Sequence, residues 1–134
     1  MSAERKLTYV DSSAIVKLAV AEPQSKALRR YLARRQPLVT SALARTEVAR
    51  ALKPGGPDAV ARGHDALRTI QLLRVNDRVL SDAGRMEPAE LRSLDAIHLA
   101  SARQLGAAVK QIVTYDERMA TVAKAIGWSV ASPT

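Results

Sequence analysis

An α/β domain on a mainly parallel sheet, with helices on both faces, is what this sequence predicts, and three observations predict it. Short β-branched runs alternate with longer segments whose apolar residues recur at helical spacing. Two of the short runs end in an acid and pass directly into a helix. Apolar residues make up 47% of the 134, with no Phe among them, a balance that suits helices and short strands better than an aromatic-rich sandwich. Strands that alternate with helices pair in parallel through right-handed crossovers. The length suits one core, so residues 1–134 are expected to form a single domain.

The elements follow in order. "KLTYVD", Lys6 to Asp11, reads as a strand, and Ser12 and Ser13 are expected to cap the helix begun by "AIVKLAV". Pro23 opens "PQSKALRRYLARR", where Ala27, Leu28, Tyr31 and Leu32 share a helical stripe, and "PLVT" gives a second strand. Ser41 is expected to cap "ALARTEVARALK", which "PGGP" stops, and Pro57 with Asp58 starts another helix through about Leu72. "LLRVN" is a short strand, with a helix from Asp77 to Met86 after it. Ser93 caps "LDAIHLASA", "KQIVTYD" is a strand, and "ERMATVAKAIG" is a helix closed by Gly127. "WSVAS" is the last strand.

Charge and composition narrow the function classes. There are 21 Lys plus Arg against 13 Asp plus Glu, a net charge of +8 that draws polyanions, nucleic acid first. The absence of cysteine excludes a disulfide framework and a thiolate metal site. No apolar leader opens "MSAERKLTYVDSS" and no run approaches a membrane span, so a cytoplasmic protein without membrane association is expected.

Four acids stand where burial or ligand binding is expected. Asp11 and Asp116 fall at the C-terminal ends of predicted parallel strands, the edge where open α/β sheets bind ligands. Strand alternation puts Thr114 on the same face as Asp116. On a helical wheel Glu47 lies between Leu43 and Ala51, with Arg45, Thr46, Arg50 and Lys53 opposite. Asp95 lies between Leu99 and Ala102, with His98 near Leu94 and Leu105. Each acid has an ordinary role: Asp95 favours the helix dipole, Glu47 can pair with Arg50, and strand-end Asp residues start helices. Four such coincidences in one chain are harder to accept.

If the four meet, they repel: two carboxylates about 4 Å apart cost about 4 kcal/mol at an effective dielectric near ~20. They need shared protons or a cation. An oxygen-only cluster suits Mg²⁺ or Mn²⁺, and zinc is disfavoured with only His64 and His98 available. Without the four acids the chain carries 21 positive against nine negative residues, a basic surface around an acidic pocket. That combination suits nucleic-acid phosphodiester hydrolysis with a metal-activated water.

The segments "YVDSSAIVKL", "SALARTEVARAL", "LRSLDAIHLASA" and "VTYDERMATVAKAIG" resemble, over nearly the whole chain, a PIN domain of the VapC-type ribonuclease toxins. The resemblance implies a three-layer α/β/α sandwich on a mainly parallel five-stranded sheet. It implies Asp11, Glu47, Asp95 and Asp116 around Mg²⁺ or Mn²⁺, with Asp11 and Asp95 as direct ligands and Ser13 and Thr114 as supporting hydroxyls. The partners it implies are an RNA substrate, structured RNAs such as tRNA or rRNA included, a cognate antitoxin whose tail covers the pocket, and a second copy in a homodimer. "ERM" after Asp116 departs from the family pattern of another acid and an aromatic there, which leaves open direct or water-mediated contact of Asp116 with metal.

Arg92 is a candidate phosphate contact, with a solvated loop arginine as the alternative, and His98 is read as a hydrogen-bonded core residue. Asp58, Asp65, Asp77, Asp82, Glu87 and Glu90 are assigned to caps and solvated faces. Two competing functions remain. A phosphotransfer or phosphatase domain would want an acid two residues after Asp11, where Ser13 stands. A non-catalytic RNA- or protein-binding module would need no metal.

Overall fold

The computed structural model describes residues 6–134, and the reading of the chain's start as free of a leader lies partly outside them. The elements run β1 (Leu7–Val10), α1 (Ser12–Ala19), α2 (Ser25–Ala33), β2 (Leu38–Ser41), α3 (Ala44–Leu52), α4 (Pro57–Leu67), β3 (Gln71–Leu73), α5 (Asp77–Gly84), α6 (Ser93–Gln104), β4 (Val109–Val113), α7 (Glu117–Ile126) and β5 (Ser129–Ala131). All strand pairs are parallel, in the order β3-β2-β1-β4-β5.

Alternation along the central strands separates two cores. Val10 and Leu38 face one side with Ile15, Leu28, Val48 and Leu67, from α1 to α4. Leu7, Tyr9 and Val39 face the other with Leu99 of α6 and Met119 and Val122 of α7. The result is the expected three-layer sandwich, and each fully buried Leu, Ile or Val contributes about 1.5–3 kcal/mol. On the first face, a Cβ added at Gly63 would stand 2.6 Å from Leu52 Cδ1 and 2.9 Å from Val48 Cγ1, so glycine is what lets α4 lie close on α3.

Several predicted caps and ends differ. Asp11, not Ser12 or Ser13, caps α1: its extended backbone aims the carboxylate at Ala14 N, 3.1 Å away. Ser41 belongs to β2, and its hydroxyl accepts from Leu43 N before α3 begins. Ser93 is the first residue of α6 and Arg92 its cap position, without a side-chain cap bond. The α4 helix ends at Leu67 rather than about Leu72, because Gln71 to Leu73 pair with β2. Asn76 caps α5, and Gly127, with φ 117°, ends α7 as expected.

This topology places the site. From β1 the chain builds outward through β2 and β3, then crosses to β4 on the other side of β1. The strand order reverses between β1 and β4, and Asp11 and Asp116 follow the ends of those two strands.

Candidate active site

Asp11 is almost wholly buried, 4% exposed, and both its oxygens are engaged. Oδ1 accepts from Ser13 Oγ at 2.6 Å as well as from Ala14 N, and Oδ2 accepts from Thr114 Oγ1 at 2.6 Å. The same hydroxyls receive backbone donors from the β4–α7 junction: Tyr115 N donates to Ser13 Oγ at 3.0 Å and Asp116 N to Thr114 Oγ1 at 3.0 Å. They thereby tie the ends of β1 and β4 together. Burial pushes the Asp11 carboxyl above its ordinary range, against the opposing pull of the Ser13 and Thr114 hydrogen bonds.

Glu47 enters from α3. Its Oε1 accepts from Ser12 Oγ at 2.6 Å and lies 2.5 Å from His98 Nε2. The buried His98 ring stands edge-on to Tyr9, whose hydroxyl is 2.7 Å from Nδ1. Burial pushes Glu47 up, but the His98 hydrogen bond, the His98 charge and the Ser12 hydroxyl outweigh it and hold the carboxyl below its usual range. Burial also drives the Tyr9 phenol far above its ordinary value.

Asp95 and Asp116 form the rim, set apart from the Asp11 and Glu47 floor by their shared donor, the exposed Arg92, and not by depth: the Asp95 side chain is 13% exposed and that of Glu47 19%. Asp116 caps α7, its Oδ1 accepting from Arg118 N at 2.9 Å and Met119 N at 3.2 Å. Its Oδ2 accepts from Arg92 Nη2 at 2.7 Å, while Arg92 Nε donates to Asp95 Oδ2 at 3.3 Å. Burial, then the Asp116 charge, pushes Asp95 upward, and Arg92 works against both.

Asp11, Glu47, Asp95 and Asp116 line one cavity of about 330 Å³, with Arg92 and His98 also on its wall. Ser13 lines it too, whereas Thr114 lies buried beneath, behind Asp11. Among the described residues no three acidic or histidine side chains stand together as an ion-holding group. The donors are nonetheless all oxygen, as Mg²⁺ or Mn²⁺ requires, and Arg92 supplies the positive charge between two of them.

Two contributors escaped the sequence reading. Ser12 looked like a helix cap, yet it donates to Glu47. Tyr9 looked like core, and only its place on β1, two residues before the Asp11 that follows that strand, hinted that it stands beneath the site. His98 is buried and hydrogen-bonded as expected, but its partner is a pocket acid. Leu94, placed on the apolar arc, is 47% exposed at the cavity's edge.

Fold and site together define a class: parallel α/β domains whose ligand mouth, at the reversal of strand order, is lined with carboxylates. The family model described as "PIN domain" matches residues 8–125, and the chain belongs to that family. It is 57% identical over 125 residues to "Ribonuclease VapC46" of Mycobacterium tuberculosis, covering 93% of this chain and 96% of that protein. "Ribonuclease VapC47" of the same species is 36% identical over 132 residues, covering 95% and 97%. Among solved structures, M. tuberculosis VapC20, described as a "Sarcin-Ricin loop cleaving toxin", superposes with a TM-score of 0.73 at 21% identity, over 94% of this chain and 99% of that one. A "Toxin-antitoxin complex from Klebsiella pneumoniae" superposes with a TM-score of 0.72 at 18% identity, over 95% and 98%. These two likenesses concern the fold.

Proposed function

We propose that this chain is a divalent-metal-dependent endoribonuclease of one domain, the toxin of a toxin–antitoxin pair, acting in the cytoplasm as a homodimer that a cognate antitoxin inhibits. The observation that carries the reading is the meeting of acids from four separate elements in one mouth of a chain whose net charge is +8. The ribonuclease names of relatives at 57% and 36% identity support it. Among the described residues no helix is long and apolar enough to cross a membrane.

Asp11, Glu47, Asp95 and Asp116 would hold Mg²⁺ or Mn²⁺. When bound, such an ion supplies charge neutralisation and activation of water for phosphodiester hydrolysis. The protein's own part is to aim the donors: Ser13 and Thr114 fix Asp11, and Ser12 and His98 fix Glu47. Arg92, on the wall of the mouth, would meet a phosphate of the RNA, and other Lys and Arg of a chain whose net charge is +8 would hold the RNA backbone.

The phosphotransfer alternative loses ground on one observation. Ser13 rather than an acid stands two residues after Asp11, and its hydroxyl donates to Asp11 Oδ1. A pure binding module is separated by incubating the protein with RNA in Mn²⁺ or in EDTA. We expect cleavage in Mn²⁺, none in EDTA, and at least about a hundredfold loss in Asp11→Asn, the upper range for disturbing even a metal site's supporting groups. RNA bound but intact under all three conditions would overturn the nuclease reading.

A further inference from the structure

We propose that Arg92 is an internal competitor of the divalent cation: its guanidinium and the ion are alternative partners of the same two carboxylates, Asp95 and Asp116. The inference rests on the reading of this mouth as a metal centre and adds to it a residue that sets how tightly the metal is held.

The four acids are not neutralised alike. Asp11 and Glu47 take their bonds from uncharged hydroxyls, a backbone N–H and the His98 ring, all on packed elements. Asp95 and Asp116 share one cation, which both meet through Oδ2, while Asp116 Oδ1 takes two backbone N–H bonds from α7. A guanidinium is permanently charged and has several donors in a rigid fork, so one Arg can hold two carboxylates that would otherwise repel. It adds one positive charge where a divalent ion would add two, and like charges disfavour both standing at the same oxygens.

The geometry also makes Arg92 removable. It sits at the cap position of α6 in extended backbone, φ −66° and ψ 146°, with no capping bond from its side chain. That side chain is 58% exposed, so it can turn into water without opening a cavity. Asp116 keeps its orientation when Arg92 leaves, because Arg118 N and Met119 N still bind Oδ1. Exposed ion pairs are individually weak, so a divalent ligand can displace this one.

The test is titration of the full-length protein with Mn²⁺ alone, followed by calorimetry, comparing wild type, Arg92→Gln, Arg92→Lys and Asp95→Asn. Exposed ion pairs of this kind predict that Arg92→Gln binds Mn²⁺ roughly three- to tenfold tighter than wild type. Arg92→Lys, which keeps the charge, restores the weaker binding, and Asp95→Asn binds more weakly than either. Arg92→Gln binding no tighter than wild type, or Arg92→Lys as tight as Arg92→Gln, overturns the competition while leaving the metal centre in place, provided Asp95→Asn still weakens binding. Mn²⁺ binding by none of the four proteins, each shown folded by circular dichroism, overturns the metal-centre reading and this inference with it.

Discussion

Asp11 and Glu47, at the floor of the mouth, are held by donors from several packed elements, whereas Asp95 and Asp116, at its rim, share one arginine with a half-exposed side chain. The floor is therefore wired into the fold. Thr114, Tyr9 and His98 are buried, and their polar groups have few alternatives if the acid they serve is removed. The rim is tied instead to an exposed side chain, and under the proposed function its carboxylates would exchange one cation for another without disturbing either core. If the mouth holds a divalent ion as proposed, this division would let the site keep its shape while the ion exchanges.

The sharpest way to break the comparison is at the floor. His98→Ala should cost about 2–4 kcal/mol, from the cavity, from the Tyr9 hydroxyl that loses its ring partner and from a Glu47 carboxylate left with Ser12 alone, measured by urea unfolding without metal. A loss below about 0.5 kcal/mol, the level of an ordinary surface substitution, would mean that the floor is no more built into the fold than the rim.

Thr114→Val is a smaller change of the same kind. It deprives Asp11 Oδ2 of its donor and Asp116 N of its acceptor, so a loss of about 1–3 kcal/mol is expected in the same measurement. Removal of that hydroxyl also leaves burial less opposed, so the Asp11 carboxyl should titrate at still higher pH, a shift that carboxyl NMR chemical shifts can follow.

The smallest effects are expected from charge removal, and they should differ in sign between Asp95 and Glu47. The Asp95 carboxyl is raised above its ordinary 3.8, so the folded protein holds that proton more tightly than the unfolded chain does. Its ionisation weakens the fold; the weakening is absent below 3.8 and complete above the raised folded-state value. Asp95→Asn should leave the Tm at pH 7 unchanged or raised, with any gain vanishing as the pH falls. Glu47 is lowered below 4.5, so its ionised form contributes stability that is present above 4.5 and lost as pH falls through the lower folded-state value. Glu47→Gln should lower the Tm at pH 7, and the gap should close in acid. Parallel Tm profiles for the two variants would erase the contrast between burial acting on Asp95 and the hydrogen bonds acting on Glu47.

Much of this was legible in the residues. Among the described residues periodicity and turn signals located the five strands and seven α-helices, because alternation and helical stripes are set by which side chains need burial. It missed ends where a partner decides them, as at Leu67, where pairing of Gln71 to Leu73 with β2 stops α4 short. The inward placement of Glu47 and Asp95 was readable from their helical wheels, and the strand-end positions of Asp11 and Asp116 from sequence order. What each acid would touch was not. Glu47 had Arg50 as its nearest candidate along the helix, but its partner is His98, 51 residues away. Arg92 stood three residues from Asp95, and nothing local indicated that it would also reach Asp116, 24 residues on.

By itself, then, the chain's order of residues determined the layers, the parallel sheet, and the edge at which four acids would stand, since these depend on local propensity and on burial along each element. Only the tertiary structure decided which donor neutralises which acid. Hydrogen bonds and ion pairs act over about 3 Å, and it is the reversal of strand order between β1 and β4 that brings donors dozens of residues apart within that reach.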